Sequence, residues 1–186
     1  MLCVSVLVFL LIGVLAQELK QGPCPYIRPV SYNPTAYLGW YEYKRSPHIR
    51  NNDERCIKSM MYEPQKGVYK VLNKFHVDSI NSTMTTFGDL YLNDDNTYFT
   101  SIIPHVGPKN THFRVLSIDK EHVIVWSCED RGFQHIESGW VYTATPRTPS
   151  AEIDEKIRRS YAKFGLQVPE MYTHNLEECR QIFATY

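Results

Sequence analysis

Eight short runs rich in Tyr, Val, Ile, Phe and Thr follow one another through the middle of this chain, each bounded by turn-forming residues. They cover Trp40 to Arg45, Arg55 to Glu63, Val68 to Val77, Ser82 to Tyr91, Tyr98 to Ile103, Phe113 to Ser117, Val123 to Cys128 and Ile136 to Thr145. β-branched and aromatic side chains suit pleated surfaces, and short runs at regular spacing predict an antiparallel sandwich or barrel. Between them lie Glu63-Pro64-Gln65-Lys66-Gly67, Asn93-Asp94-Asp95-Asn96 and Pro104-His105-Val106-Gly107-Pro108, which have the chemistry of hairpin connections. Alternation within Val68 to Phe75 sets Lys70, Leu72 and Lys74 on one face and Tyr69, Val71, Asn73 and Phe75 on the other, the pattern of a half-buried strand.

The chain opens with a different signal. Met1 to Ala16 is almost wholly apolar and closes on Val14-Leu15-Ala16, so residues 1–16 are expected to be a signal peptide, too short to span a bilayer. Residues 17–186 then form one domain, large enough to bury a core. The 20 basic and 20 acidic residues balance, so nothing in the charge steers the protein to nucleic acid or anionic lipid. Cys3 falls in the leader, leaving Cys24, Cys56, Cys128 and Cys179 for an oxidising compartment. Disulfides are expected, and the three connectivities open to four cysteines stay open on spacing alone.

Gln17 to Pro34, rich in Pro, Gly and polar residues, reads as an irregular arm that carries Cys24. Past the strands the period changes. Thr148 and Pro149 supply a cap and a residue suited to the first helical position, Ile153, Ile157, Tyr161 and Phe164 share one face, and Gly165 is a stop. One helix docked outside the barrel is predicted.

Eight strands followed by a helix resemble the lipocalin plan: an all-β, eight-stranded antiparallel up-and-down barrel with one C-terminal α-helix. The segments Tyr37-Leu38-Gly39-Trp40-Tyr41-Glu42, Arg55-Cys56-Ile57, Lys70-Val71-Leu72-Asn73, Val125-Trp126-Ser127-Cys128 and Trp140 are similar to the apolipoprotein D and insect bilin-binding branch. The resemblance runs from Cys24 to Cys179 and implies the pairs Cys24–Cys128 and Cys56–Cys179. It departs at three places. Gly39 and Trp40 are adjacent where that family keeps one residue between them, which implies a shortened entry and a register shift in the first strand. Ser117-Ile118-Asp119 replaces Thr-Asp-Tyr, and Ala144 stands where an arginine would cover the tryptophan, removing a cation–π contact.

Gly39 and Trp40 are read as structural residues of the barrel floor, a core plug being the ordinary fate of such a tryptophan. Alternation and the resemblance together turn Ser59, Met61, Val71, Asn73, Phe75, Ile103, Val123, Val125, Trp140 and Tyr142 inward. Most of these simply line the interior. Asn73 and Tyr142 are the polar anchors, because a buried amide or phenol needs a partner that a ligand can supply. Trp140 sits where the resemblance implies a pocket tryptophan, and Met61 is an adaptable gap-filler. Asn81-Ser82-Thr83 is an N-glycosylation sequon.

Catalysis has no footing in the sequence. There is no Gly-x-Ser-x-Gly elbow, no Gly-rich phosphate loop and no His-Glu-x-x-His pair, so neither an enzyme nor a resident cofactor is expected. Glu129 and Asp130 are adjacent and therefore point apart on a strand, and His105 and His112 lack metal-site spacing. The expected function is a secreted extracellular protein that binds a small hydrophobic ligand, such as a lipid, sterol, retinoid, fatty acid or bilin, inside the barrel for transport or sequestration. The alternative is an interaction or inhibitor protein that binds an extracellular protein partner through the barrel loops; a subunit of a pigment complex is a third, weaker reading.

Overall fold

The structure, a computed structural model, describes residues 19–31, 39–47, 53–66, 68–93, 98–101 and 112–184. Its strands are β1 (Leu19–Gln21), β2 (Trp40–Arg45), β3 (Glu54–Gln65), β4 (Val68–Val77), β5 (Ser82–Leu92), β6 (Tyr98–Ser101), β7 (His112–Ile118), β8 (His122–Asp130), β9 (Gln134–Thr143) and β10 (Tyr172–Thr173), with helices α1 (Ala151–Ala162) and α2 (Cys179–Ala184). From β2 to β9 each strand pairs antiparallel with the next, and β9 returns to pair with β2, closing a ring. β4 shows why the sequence accepts this. Tyr69, Val71, Asn73 and Phe75 are buried on the inner face while Lys70, Leu72 and Lys74 lie half-exposed outside.

Three elements go beyond the sequence reading: β1, α2 and the two-residue β10. β1, within the arm expected to be irregular, pairs Leu19 with Ile136 and Gln21 with Gln134 where β2 has already left β9. α2 is a second C-terminal helix of six residues, and its short, mixed sequence has no helical period to betray it. α1 also starts later than Thr148-Pro149 implies. Ser150 is the cap, extended at φ −140 and ψ 130, and its hydroxyl accepts the Glu152 N–H. The Tyr43 hydroxyl accepts the Ser150 N–H, which holds that residue outside the helix and leaves Pro149 in the linker.

Packing divides into two layers. Inside the ring Trp40, Tyr69, Val71, Leu90, Val115 and Trp140 form one buried cluster. On the outer face Ile153, Ile157 and Tyr161 of α1 cover Tyr43, Leu116, Ile124, Trp126 and Val141. Gly165, at φ +67, ends the helix as expected. The disulfides are Cys24–Cys128, which ties the arm to β8, and Cys56–Cys179, which ties β3 to α2. These are the pairs the resemblance implied. Between the anchors, Ile27 is buried in the outer cluster and Val30 donates its N–H to the Val115 carbonyl, so the arm lies across the barrel wall.

β2 is irregular between Glu42 and Lys44, where its register against β9 shifts by a residue. Asp119 still organises its turn by accepting the N–H groups of Glu121 and His122. Ala144 packs on the inner cluster, and a guanidinium covers a different tryptophan, Arg114 lying 5.7 Å from the Trp126 ring centroid.

Candidate functional site: the inner face of the barrel

Antiparallel register puts directly paired residues on one face, so inner rows can be read across the strands. On β3, β4 and β5 the rows are Met61–Val71–Gly88 and Ser59–Asn73–Thr86, with Phe75–Met84 next on β4 and β5. On β8 and β9 they are Val123–Tyr142, Val125–Trp140 and Ser127–Ser138. Ser59, Val71, Asn73, Phe75, Val123, Val125 and Trp140 are buried, while Met61 and Tyr142 are partly buried against the same cluster. Ile103 lies outside the described residues. Phe113 meets Trp140 edge-on, their ring centroids 4.9 Å apart.

Polar rows break the apolar wall, Ser127–Ser138 on β8 and β9 and Ser59–Asn73–Thr86 on β3 to β5. The Ser59 hydroxyl donates to Asn73 Oδ1 at 2.6 Å, leaving the Asn73 amide NH2 as the donor of that row. Beside it the Thr86 hydroxyl is buried and has no hydrogen-bond partner among the described residues. An unpaired buried hydroxyl costs free energy that a ligand acceptor or donor can return.

A charged group stands on β2, the strand next to β3, unforeseen from sequence. Glu42 and Arg45 are each 1% exposed and His174 is 4% exposed. Arg45 Nη1 donates to Glu42 Oε1 at 2.8 Å and lies 3.0 Å from His174 Nε2, which is itself 3.4 Å from Glu42 Oε1. Cross-strand pairing sets Glu42 opposite Tyr142 and Arg45 opposite Trp140. Two-residue alternation from Trp40 reaches Glu42 and could have found it. Arg45 arrives on that face through the β2 irregularity, and His174 through β10 pairing with Lys44 and Arg45, neither of which leaves a local signal.

Trp40 is buried in the inner cluster. Gly39 precedes it at φ +155, and a Cβ there would lie 2.9 Å from Lys58 Cε. Asn81 is exposed in the β4–β5 turn, in the left-handed region at φ 46, with its N–H donated to the Asp78 carbonyl. Glu129 pairs with Arg131, and Asp130 accepts the Cys24 N–H, so the adjacent acids serve separate structural contacts. Among the described residues no three His, Cys, Asp or Glu side chains gather to hold a metal.

Solved structures share this shape. Lobster apocrustacyanin A1 superposes with a TM-score of 0.67 at 10% identity, over 87% of this chain and 93% of that one. Insecticyanin from the tobacco hornworm Manduca sexta also gives 0.67, at 17% identity over 88% and 91%. The cockroach allergen Per a 4 gives 0.59 at 18% identity over 87% and 99%. No family profile and no curated protein sequence matches the chain, so the likeness is one of fold. That fold is the lipocalin barrel with its C-terminal helix.

Proposed function

We propose that the protein is a secreted, non-catalytic carrier that holds a small, largely apolar ligand inside the barrel. The observation that carries this reading is the Ser59–Asn73–Thr86 row, a donor and an unpartnered hydroxyl set within an apolar, aromatic wall. Few polar groups in a mostly apolar concave surface is the usual composition of a small-molecule site. Ser59, Met61, Val71, Asn73, Phe75, Ile103, Val123, Val125, Trp140 and Tyr142 are its proposed lining. Burying about 300 Å² of apolar ligand surface is worth roughly 7 kcal/mol before association costs, so polar anchors decide whether binding passes the micromolar range. We place the chain near the apolipoprotein D and insect bilin-binding branch, supported by the disulfide pairing and the buried Trp140. Residues 1–16 are the proposed signal peptide, and Asn81 the proposed glycosylation site, supported by its exposure in a turn.

A second reading, recognition of a protein partner by the loops, draws on Phe133 and Ile80, which are 93% and 59% exposed. Both sit in turns at one end of the barrel, β8–β9 and β4–β5. Native mass spectrometry with organic extraction, on protein secreted from eukaryotic cells, separates the readings. A reproducible bound mass supports the carrier. Empty protein whose Trp fluorescence is not quenched by fatty acids, sterols, retinoids or bilins transfers the weight to the loops.

A further inference from the structure

We propose that the cleft between the β9–α1 linker and α2 is a second binding site, selective for a doubly charged tetrahedral oxyanion, a phosphate or sulfate group. The cleft has a volume of about 470 Å³ and is lined by Thr145, Arg147, Thr148, Ser150, Glu177 and Arg180. None of these residues belongs to the inner rows of the barrel, so this site stands apart from the carrier reading.

Both walls are anchored before any ligand arrives. The linker is held at one end by the Thr143 hydroxyl, which donates to the Thr145 carbonyl at 2.9 Å, and at the other by the Tyr43 hydroxyl, which accepts the Ser150 N–H at 2.9 Å. The opposite wall is fixed covalently, because Arg180 follows Cys179, which is bonded to Cys56 on β3. Prior anchoring lowers the ordering cost of binding.

The charges point to an anion. Arg180 is exposed and has no ion-pair partner among the described residues. Among the described residues Arg147 makes a single ion pair, to Glu121 at 3.4 Å with both side chains more than a third exposed, an arrangement that binds weakly and leaves most of the guanidinium donors available. Two guanidinium groups brought to one void from separate segments match the bidentate geometry of phosphate and sulfate oxygens. The hydroxyls of Thr145 and Thr148 add donors on the linker side. Glu177 is the one acid of the lining and opposes a bare anion, so its charge tunes the affinity down.

The test titrates the disulfide-intact secreted chain with inorganic phosphate, inorganic sulfate, glucose 6-phosphate and glucose 6-sulfate, following the Arg147 and Arg180 Nε–H signals by NMR at constant chloride. Saturable shifts at both arginines are expected, with affinity at least tenfold weaker in Arg180→Ala, lost in the Arg147→Ala/Arg180→Ala double variant and tighter in Glu177→Gln. All three positions are partly or fully exposed, so the variants keep the fold. Stronger binding of the esters than of the free ions assigns the site to a sugar-borne group, and the reverse to a free ion. Shifts that fail to saturate, or that persist unchanged in the double variant, overturn the proposal.

Discussion

A Cβ atom at Gly139 would lie 2.5 Å from the Tyr161 hydroxyl oxygen. Gly139 sits on β9 beneath α1, and the same Cβ would meet Met171 Sδ and Pro169 Cγ, each at 3.1 Å. The strand thus lacks a side chain where the helix and the segment after it press closest. Tyr161 is fully buried, its hydroxyl has no hydrogen-bond partner among the described residues, and burial pushes its ionisation far above the usual phenol range. Gly139→Ala should therefore destabilise by about 1–3 kcal/mol through overpacking. Tyr161→Phe removes the nearest clashing atom and an unpaired polar group, so adding it to Gly139→Ala should recover part of the loss. Urea unfolding of both single variants and the double closes the cycle; strict additivity would show that the two residues do not meet.

Arg45→Met leaves the Glu42 carboxylate buried without its guanidinium and should cost about 3–5 kcal/mol. Replacing both partners, as in Glu42→Leu/Arg45→Met, removes the stranded charge and should recover most of that stability. Equal destabilisation by the single and double variants would mean that the pair is held chiefly by packing.

Cys56 adopts a left-handed backbone at φ 54 within the irregular stretch of β3, and its disulfide closes a loop across a separation of 123 residues. In the chain-entropy view a bridge over so long a loop contributes up to about 5 kcal/mol. Cys56→Ala/Cys179→Ala should lower the thermal midpoint sharply, and hydrogen exchange should reveal α2 and the Leu176 region opening first. Unchanged exchange there would show that the buried Leu176 holds the segment without the bond.

Trp140→Ala should weaken binding of whichever hydrophobic ligand the native protein carries by tenfold or more, while circular dichroism retains the strand signal. It also removes the edge-on contact with Phe113, so some loss of stability is expected beside the loss of affinity. Fluorescence or calorimetric titration decides; affinity equal to wild type would move the ligand away from this wall.

Acid should weaken the fold through the β7–β8 turn. Burial lowers the His122 pKa, an effect that outweighs the opposing pull of Asp119. Its protonated form is thus less welcome in the folded chain, and the stability tied to neutral His122 is complete above about pH 6.5 and declines as pH falls below it. Asp119 acts in the same sense. Burial alone would raise its pKa, yet the N–H groups of Glu121 and His122, with the nearby His122 and Lys156 charges, bring it below the ordinary carboxylate value. Its contribution disappears at still lower pH. Between pH 7.5 and 5, the urea midpoint of His122→Gln should fall less than that of wild type; parallel declines would assign the acid sensitivity elsewhere.

Local pattern determined much of this protein. Two-residue alternation placed Val71, Asn73 and Phe75 on the inner face, and four-residue steps placed Ile153, Ile157 and Tyr161 on the docked face of α1. These follow from backbone geometry within a single element, which a sequence displays directly. Only the tertiary structure decided which distant groups meet. Arg45 reaches Glu42 across a strand irregularity, His174 joins them through two residues of β10, and Gly139 owes its identity to a tyrosine on another element. Contacts of that kind depend on register and on the path of the chain through space, where residues more than a hundred positions apart share one hydrogen bond. Burial makes such contacts energetically decisive, yet no periodicity along the chain records them.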